Sequence, residues 1–133
     1  MRFLIIAMMS LIAPTARAAD APAKAEAILA GTCVRCHGVD ARKGGLDLSR
    51  RPSALAGGES GPAIEPGKPD ESPLIEKVAA GEMPPKSPLK PEEVEALRAW
   101  VASGARYTHE PLAPPRAGAD WWSLRPIALP APP

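Results

Sequence analysis

The run Cys33-Val34-Arg35-Cys36-His37 places two thiols and an imidazole side by side. Two cysteines separated by two residues and followed at once by histidine form the attachment signature for a c-type haem. Each thiol forms a thioether with one vinyl group, and the turn between them matches the spacing of the vinyls along the porphyrin edge. The next residue is carried under the ring, where its imidazole binds iron as the proximal ligand. A redox disulfide, half of a zinc site and chance are the competing readings. A zinc site draws a second ligand pair from a distance, and the only other histidine is His109, with no further cysteine. A thioredoxin-like pair belongs in a βαβ context, which this sequence lacks. The motif therefore predicts one covalent haem c on Cys33 and Cys36, with His37 on its iron.

The opposite axial position needs its own donor. The methionines are Met1, Met8, Met9 and Met83, and the first three lie in a segment that reads as a signal peptide. Met83 would be the sole methionine of the mature chain. It is followed by Pro84 and Pro85, which stiffen the backbone and remove amide donors. A lone methionine is ordinarily a gap-filler in a core, but one on a rigid turn downstream of a haem motif suits the sixth ligand. Thioether ligation stabilises ferrous iron and raises the potential relative to a second imidazole. His109 is the competitor. It lies beyond the last predicted helix beside Glu110, a surface position.

The N-terminus supplies the address. Arg2, the apolar run Phe3–Ile12 broken only by Ser10, and Ala16-Arg17-Ala18 form the charge, apolar stretch and small-residue site of a secretory signal peptide. The apolar run falls short of the roughly 20 residues that span a bilayer. Cleavage after Ala18, or after Ala19, is expected, leaving no membrane anchor; Thr32 stands where a lipoprotein box would need cysteine. The expected compartment is periplasmic or extracellular. Haem attachment to thiols belongs on that oxidising side, and the two signals were read from different residues. The chain carries 16 Lys and Arg against 15 Asp and Glu; losing Arg2 and Arg17 tips the net charge to −1. That balance offers no polyanion-binding surface, so no nucleic-acid partner is expected.

The elements that must position the site are short. Pro22 suits a first helical turn, and Ala23–Ala30 are good helix formers, giving a helix that leads to Gly31 and the motif with Ile28 and Leu29 as its bulky residues. Residues 38–67 are dense in Gly and Pro, a long loop with Leu46, Leu48, Leu55 and Ile64 as anchors, understandable if wrapped around a cofactor. Glu71–Ala80 reads as a helix capped by Asp70 or Ser72 and stopped by Gly81. Pro91–Ser103 is the best-defined helix: Glu92 and Glu93 complement its dipole, Val94, Leu97 and Val101 share a face, and Gly104 stops it. This helix is expected to pack on Ala23–Ala30, with Leu97, Trp100 and Val101 meeting Ile28 and Leu29. Few aromatics remain after cleavage, Trp100, Tyr107, Trp121 and Trp122, so the core is thin and a buried haem would supply apolar volume. Arg42, Lys43, Arg50 and Arg51 read as solvated loop charges, one or two of them available to haem propionates. The expected organisation is a signal peptide at 1–18, a haem domain at 19–107, and a Pro- and Trp-containing tail at 108–133.

Laid out together, these residues resemble the cytochrome c domain of planctomycete-type proteins over about residues 23–127. The likeness rests on Cys33–Gly38, Lys43–Leu48, Gly57–Ile64, Pro66-Gly67, Glu71–Ile75, Met83–Pro85 and Leu97–Val101. It implies covalent haem on Cys33 and Cys36 with His37 and Met83 as axial ligands. The implied fold is a small, mostly α cytochrome c-like domain wrapped around haem, with long loops and an extended Pro-rich tail. Gly61-Pro62-Ala63-Ile64 is similar to the Gly-Pro-x-Leu stretch of small monohaem cytochromes c, in which the proline carbonyl accepts a hydrogen bond from the proximal imidazole. Pro62 is the candidate acceptor, a simple turn the alternative. In this family a segment like Trp121–Ile127 leads into large further domains, so the chain is either part of a longer protein or the haem domain alone.

The functional expectation is a one-electron carrier, not an enzyme, exchanging electrons with an unidentified redox partner protein. A haem enzyme or gas sensor with a labile sixth ligand is the first alternative, and a haem-stabilised docking module the second.

Overall fold

The structure is a computed structural model and describes residues 21–113. The expected signal peptide and the Trp121–Ile127 segment lie outside the described residues. The described chain is small and mostly helical, with α1 (Ala21–Ile28), α2 (Arg51–Ala56), α3 (Pro73–Ala79) and α4 (Pro91–Ala102). Single 3₁₀ turns occupy Lys43–Gly45 and Pro69–Glu71. Only two isolated antiparallel bridges, His37 with Arg42 and Gly58 with Gly61, provide strand-like pairing among the described residues.

Helix α4 forms where the sequence signals it. Pro91 sits in the first turn, and the Glu93 carboxylate reaches back to accept the Lys90 N–H at 2.8 Å. At the other end Gly104 adopts φ +101°. There Ala105 N–H donates to Trp100 O and Gly104 N–H to Val101 O, the Schellman closure that satisfies the last carbonyls. Leu97, Trp100 and Val101 are fully buried, and α4 packs against α1, as expected. These three side chains join Ala25, Ile28 and Leu29 in one apolar cluster. Burying each large side chain contributes about 1.5–3 kcal/mol.

Trp100 occupies the middle of this core. Its Nε1–H donates to Arg106 O at 2.7 Å, so the one polar atom of the ring is satisfied. Tyr107 meets it edge-on, with centroids 5.3 Å apart and planes at 74°.

Three expectations need correction. The stretch 38–67 is not structureless: Pro52 in the first turn and Ala54-Leu55-Ala56 after it form the short helix α2. The Arg51 guanidinium holds α2 to the end of α4, donating to Ala105 O at 3.0 Å and Gly104 O at 3.2 Å. It is thus a structural side chain, not a free loop charge.

Second, Ser72 precedes α3 without capping it through its side chain. The buried hydroxyl accepts from Glu65 N–H and donates to Lys68 O, both at 2.9 Å, which stitches the preceding loop instead. Asp70 pairs with Arg98 on α4.

Third, the packed chain runs past Tyr107. Leu112 is buried and its N–H donates to Ser49 O at 2.8 Å. Thr108 gives both its N–H and its hydroxyl to the Glu26 carboxylate, which is buried on α1. A polar residue in the first helix therefore secures a segment that hydropathy alone assigns to the tail.

Burial raises the Glu26 pKa, but the hydrogen bonds from Thr108 and the neighbouring His109 outweigh it, and the carboxyl lies below its ordinary value of 4.5. A depressed carboxyl stabilises fully above its unfolded value and loses that contribution as pH falls through the folded one. Glu26→Gln is expected to cost about 1–3 kcal/mol at neutral pH, the usual worth of hydrogen bonds to a charged group. Urea denaturation of the holoprotein checks this: the gap between wild type and variant should narrow on acidification below the ordinary carboxylate range.

Candidate functional site

The first helix does not end where the haem motif begins. After Ile28 the backbone passes into a π-helical turn over Leu29–Cys33, closed by Val34 N–H to Leu29 O at 3.0 Å. Such widened turns are uncommon and concentrate at functional sites. Cys36 N–H and His37 N–H then both donate to Cys33 O, at 3.1 and 2.8 Å, folding the motif into one tight turn.

The loop that follows doubles back on the motif. Lys43 N–H donates to Cys36 O and Leu48 N–H to His37 O, each at 2.9 Å. Leu48 is itself held from the core side, since Tyr107 Oη donates to its carbonyl at 3.0 Å. Desolvation raises the Tyr107 phenol far above its ordinary value, helped by the carboxylate of Glu110. The hydroxyl therefore stays protonated and remains a donor. This contact ties the haem motif through Leu48 to Trp100.

His37 Nδ1 lies 2.9 Å from Lys43 O. A carbonyl only accepts, so Nδ1 is the donor here, which leaves Nε2 as the ring nitrogen available to a metal. The acceptor is therefore Lys43 O in this structure, not the Pro62 carbonyl expected from the Gly-Pro-x-Leu likeness. The reason is local: the Lys43–Gly45 turn brings a carbonyl back over the ring, and sequence chemistry does not distinguish one main-chain carbonyl from another. Pro62 retains a place in the wall of the cavity.

That cavity, of about 260 Å³, is where the predicted residues meet. Cys33, Cys36, His37, Pro62 and Met83 all line it, together with Leu46, Leu48, Ala63, Leu74 and Val78. The apolar majority with a few convergent donors is the usual make-up of a cofactor site. Burial, followed by the adjacent Cys36, pushes the Cys33 thiol up to about 11. Cys33 is accordingly a neutral thiol at ordinary pH.

Lys43 and Lys77 are the cationic side chains on the wall. Arg42 instead pairs at 3.5 Å with buried Asp47, whose other oxygen accepts from Ser49 N–H and Oγ–H. His109 is exposed and bonded to Thr108 and Glu26, away from the cavity lining. The competitor to Met83 thus sits elsewhere.

Met83 follows α3 in the loop before α4, with its side chain 39 % exposed. The donor set fits a covalent haem: two thiols, an imidazole that donates through Nδ1, and a thioether all line one largely apolar cavity. It does not fit zinc. Among the described residues no three His, Cys, Asp or Glu side chains gather as a metal cage.

Residues 33–87 match the family model described as Planctomycete cytochrome C. The match contains both ends of the candidate ligand set and is shorter than the 23–127 read from motifs; α1 and α4 lie outside it. Neither a curated protein nor a solved structure matches the chain.

The turn that carries the Lys43 carbonyl depends on close backbone approach. Glu59 N–H donates to Gly44 O at 2.8 Å, and a Cβ at Gly58 would stand 2.3 Å from that same oxygen and 2.9 Å from Leu46 N. Gly58→Ala is expected to force the Lys43–Leu46 turn outward, costing about 1–3 kcal/mol as an overpacking change and releasing the Lys43 carbonyl from His37. Urea midpoints and haem content of the purified variant check this, with both expected to fall.

Proposed function

We propose, on the premise that residues 33–87 are a planctomycete-type cytochrome c domain, that this chain is an exported one-electron carrier with one haem c. The observation that carries this reading is the convergence of Cys33, Cys36, His37 and Met83 on a single apolar cavity. Cys33 and Cys36 would hold the haem through thioethers, and His37 Nε2 and the Met83 sulfur would supply the two protein ligands to its iron. Bound there, the haem supplies a one-electron ferrous–ferric couple.

The protein's own residues set the conditions for that couple. The Lys43 carbonyl fixes the orientation of the His37 ring and increases its basicity. Leu46, Leu48, Leu74 and Val78 exclude water, and a thioether on the sixth position raises the potential. With both axial positions taken by the protein, no site is left for a substrate. This favours electron exchange with a redox partner protein over catalysis. No helix among the described residues is long and apolar enough to cross a membrane. Export to the periplasm or beyond is supported by the Arg2–Ala18 signal pattern and by the oxidising conditions that the two-thiol chemistry requires. A second reading, a sensor with a labile sixth ligand, is favoured by one observation, the exposure of Met83.

Substitution separates the two. Met83→His should keep six-coordinate, low-spin iron but lower the potential, since imidazole donates more strongly to ferric iron than a thioether does. Met83→Ala should leave a folded protein whose ferrous form binds carbon monoxide readily. Optical spectra, potentiometry and carbon monoxide titration check both; unchanged values in Met83→Ala would remove Met83 as ligand. Acidified-acetone extraction of Cys36→Ala tests the tether, and complete retention of haem in the pellet would contradict the thioether assignment.

A further inference from the structure

We propose that the turn closing α3 is a backbone latch that positions Met83 for iron, with Gly81 as its determining residue. The inference rests on the reading of Met83 as sixth ligand. Helical backbone ends at Ala80, and Gly81 turns left-handed with φ +72°. Gly81 N–H then donates to Val78 O at 3.2 Å and Glu82 N–H to Lys77 O at 3.0 Å, the two bonds of a Schellman closure. Met83 N–H donates to the same Lys77 carbonyl at 3.2 Å. The backbone of the ligand is thus bonded directly to the last turn of α3.

Side-chain packing does not locate Met83, which is 39 % exposed. Its position follows from the main chain that precedes it. Lys77 Nζ and Glu82 Oε2 meet at 2.6 Å across the same turn, but the two side chains are 51 % and 58 % exposed. An exposed pair contributes little and is screened by salt. Left-handed φ at a residue with Cβ costs more, so Gly81 outweighs the ion pair. A Cβ at Gly81 meets nothing within 4 Å, so alanine there perturbs the turn's conformation alone and leaves the helix its room.

The test compares holoproteins of wild type, Gly81→Ala, Gly81→Asn, Glu82→Gln and Met83→Ala. The readouts are the weak far-red band of methionine-to-ferric-iron charge transfer and carbon monoxide affinity of the ferrous form. Gly81→Ala should weaken the band and raise carbon monoxide affinity roughly 5- to 30-fold, the population shift expected from the left-handed penalty. Gly81→Asn, which tolerates left-handed φ, should fall closer to wild type. Glu82→Gln should change affinity by no more than about 5-fold. Wild-type behaviour in Gly81→Ala, with both readouts altered in Met83→Ala, overturns the latch and leaves the ligand assignment standing. Wild-type behaviour in both variants overturns the ligand assignment, and the latch with it. Should Gly81→Ala lose its helical circular dichroism, Gly81→Asn decides: affinity above wild type supports the latch, and unchanged affinity with Met83→Ala altered overturns it.

Discussion

The packing of α1 against α4 around Trp100 is the contact on which the rest of this structure depends. The haem motif begins one π-helical turn after α1, so seating α1 also seats Cys33. The same tryptophan carries Tyr107 on its edge. Tyr107 holds the Leu48 carbonyl while the Leu48 amide holds His37 O. One buried ring therefore positions the motif from two directions, through the helix before it and through the loop after it. The first route runs along the main chain and the second through the Tyr107 ring and hydroxyl to the Leu48 carbonyl.

The opposite wall is secured differently. Loop 57–71 is stitched by Ser72 to the start of α3, by Leu74 N–H to Ala63 O, and by Gly67 N–H to Val101 O on α4. The far end of α3 leads to Met83, whose side chain is 39 % exposed. The cavity thus has a side anchored in the core and a side anchored by turn geometry. The asymmetry suits the proposed haem site: Cys33, Cys36 and His37 would hold the group from the firm side, and Met83 from the side that adjusts.

The domain's electrostatics are local. Glu26 acts inside the fold, as an acceptor for Thr108, and Asp47 does the same for Ser49. Arg51 serves the carbonyls at the end of α4. These buried or half-buried charges satisfy main-chain groups where helices end and loops turn, places with orphan donors and acceptors. Of the two lysines that line the cavity, Lys77 gives its charge to Glu82 across an exposed turn.

The sequence by itself determined the candidate donors and the main helices. Cys33, Cys36 and His37 are covalent neighbours, so their grouping needs no fold, and Met83 followed from counting methionines. Pro91, Gly81 and Gly104 announce helix ends because proline fixes φ and glycine alone enters left-handed backbone freely. Tertiary structure decided what depends on distance between remote segments. It gave Arg51 to the carbonyls at the end of α4, set the Glu26 carboxylate under the Thr108 amide, and brought Leu112 N–H to Ser49 O. Each of these is a hydrogen bond to a main-chain group, and every residue offers the same amide and carbonyl. Side-chain type therefore marks who is able to bond, while only the folded path of the chain brings one particular carbonyl within 3 Å of a given donor.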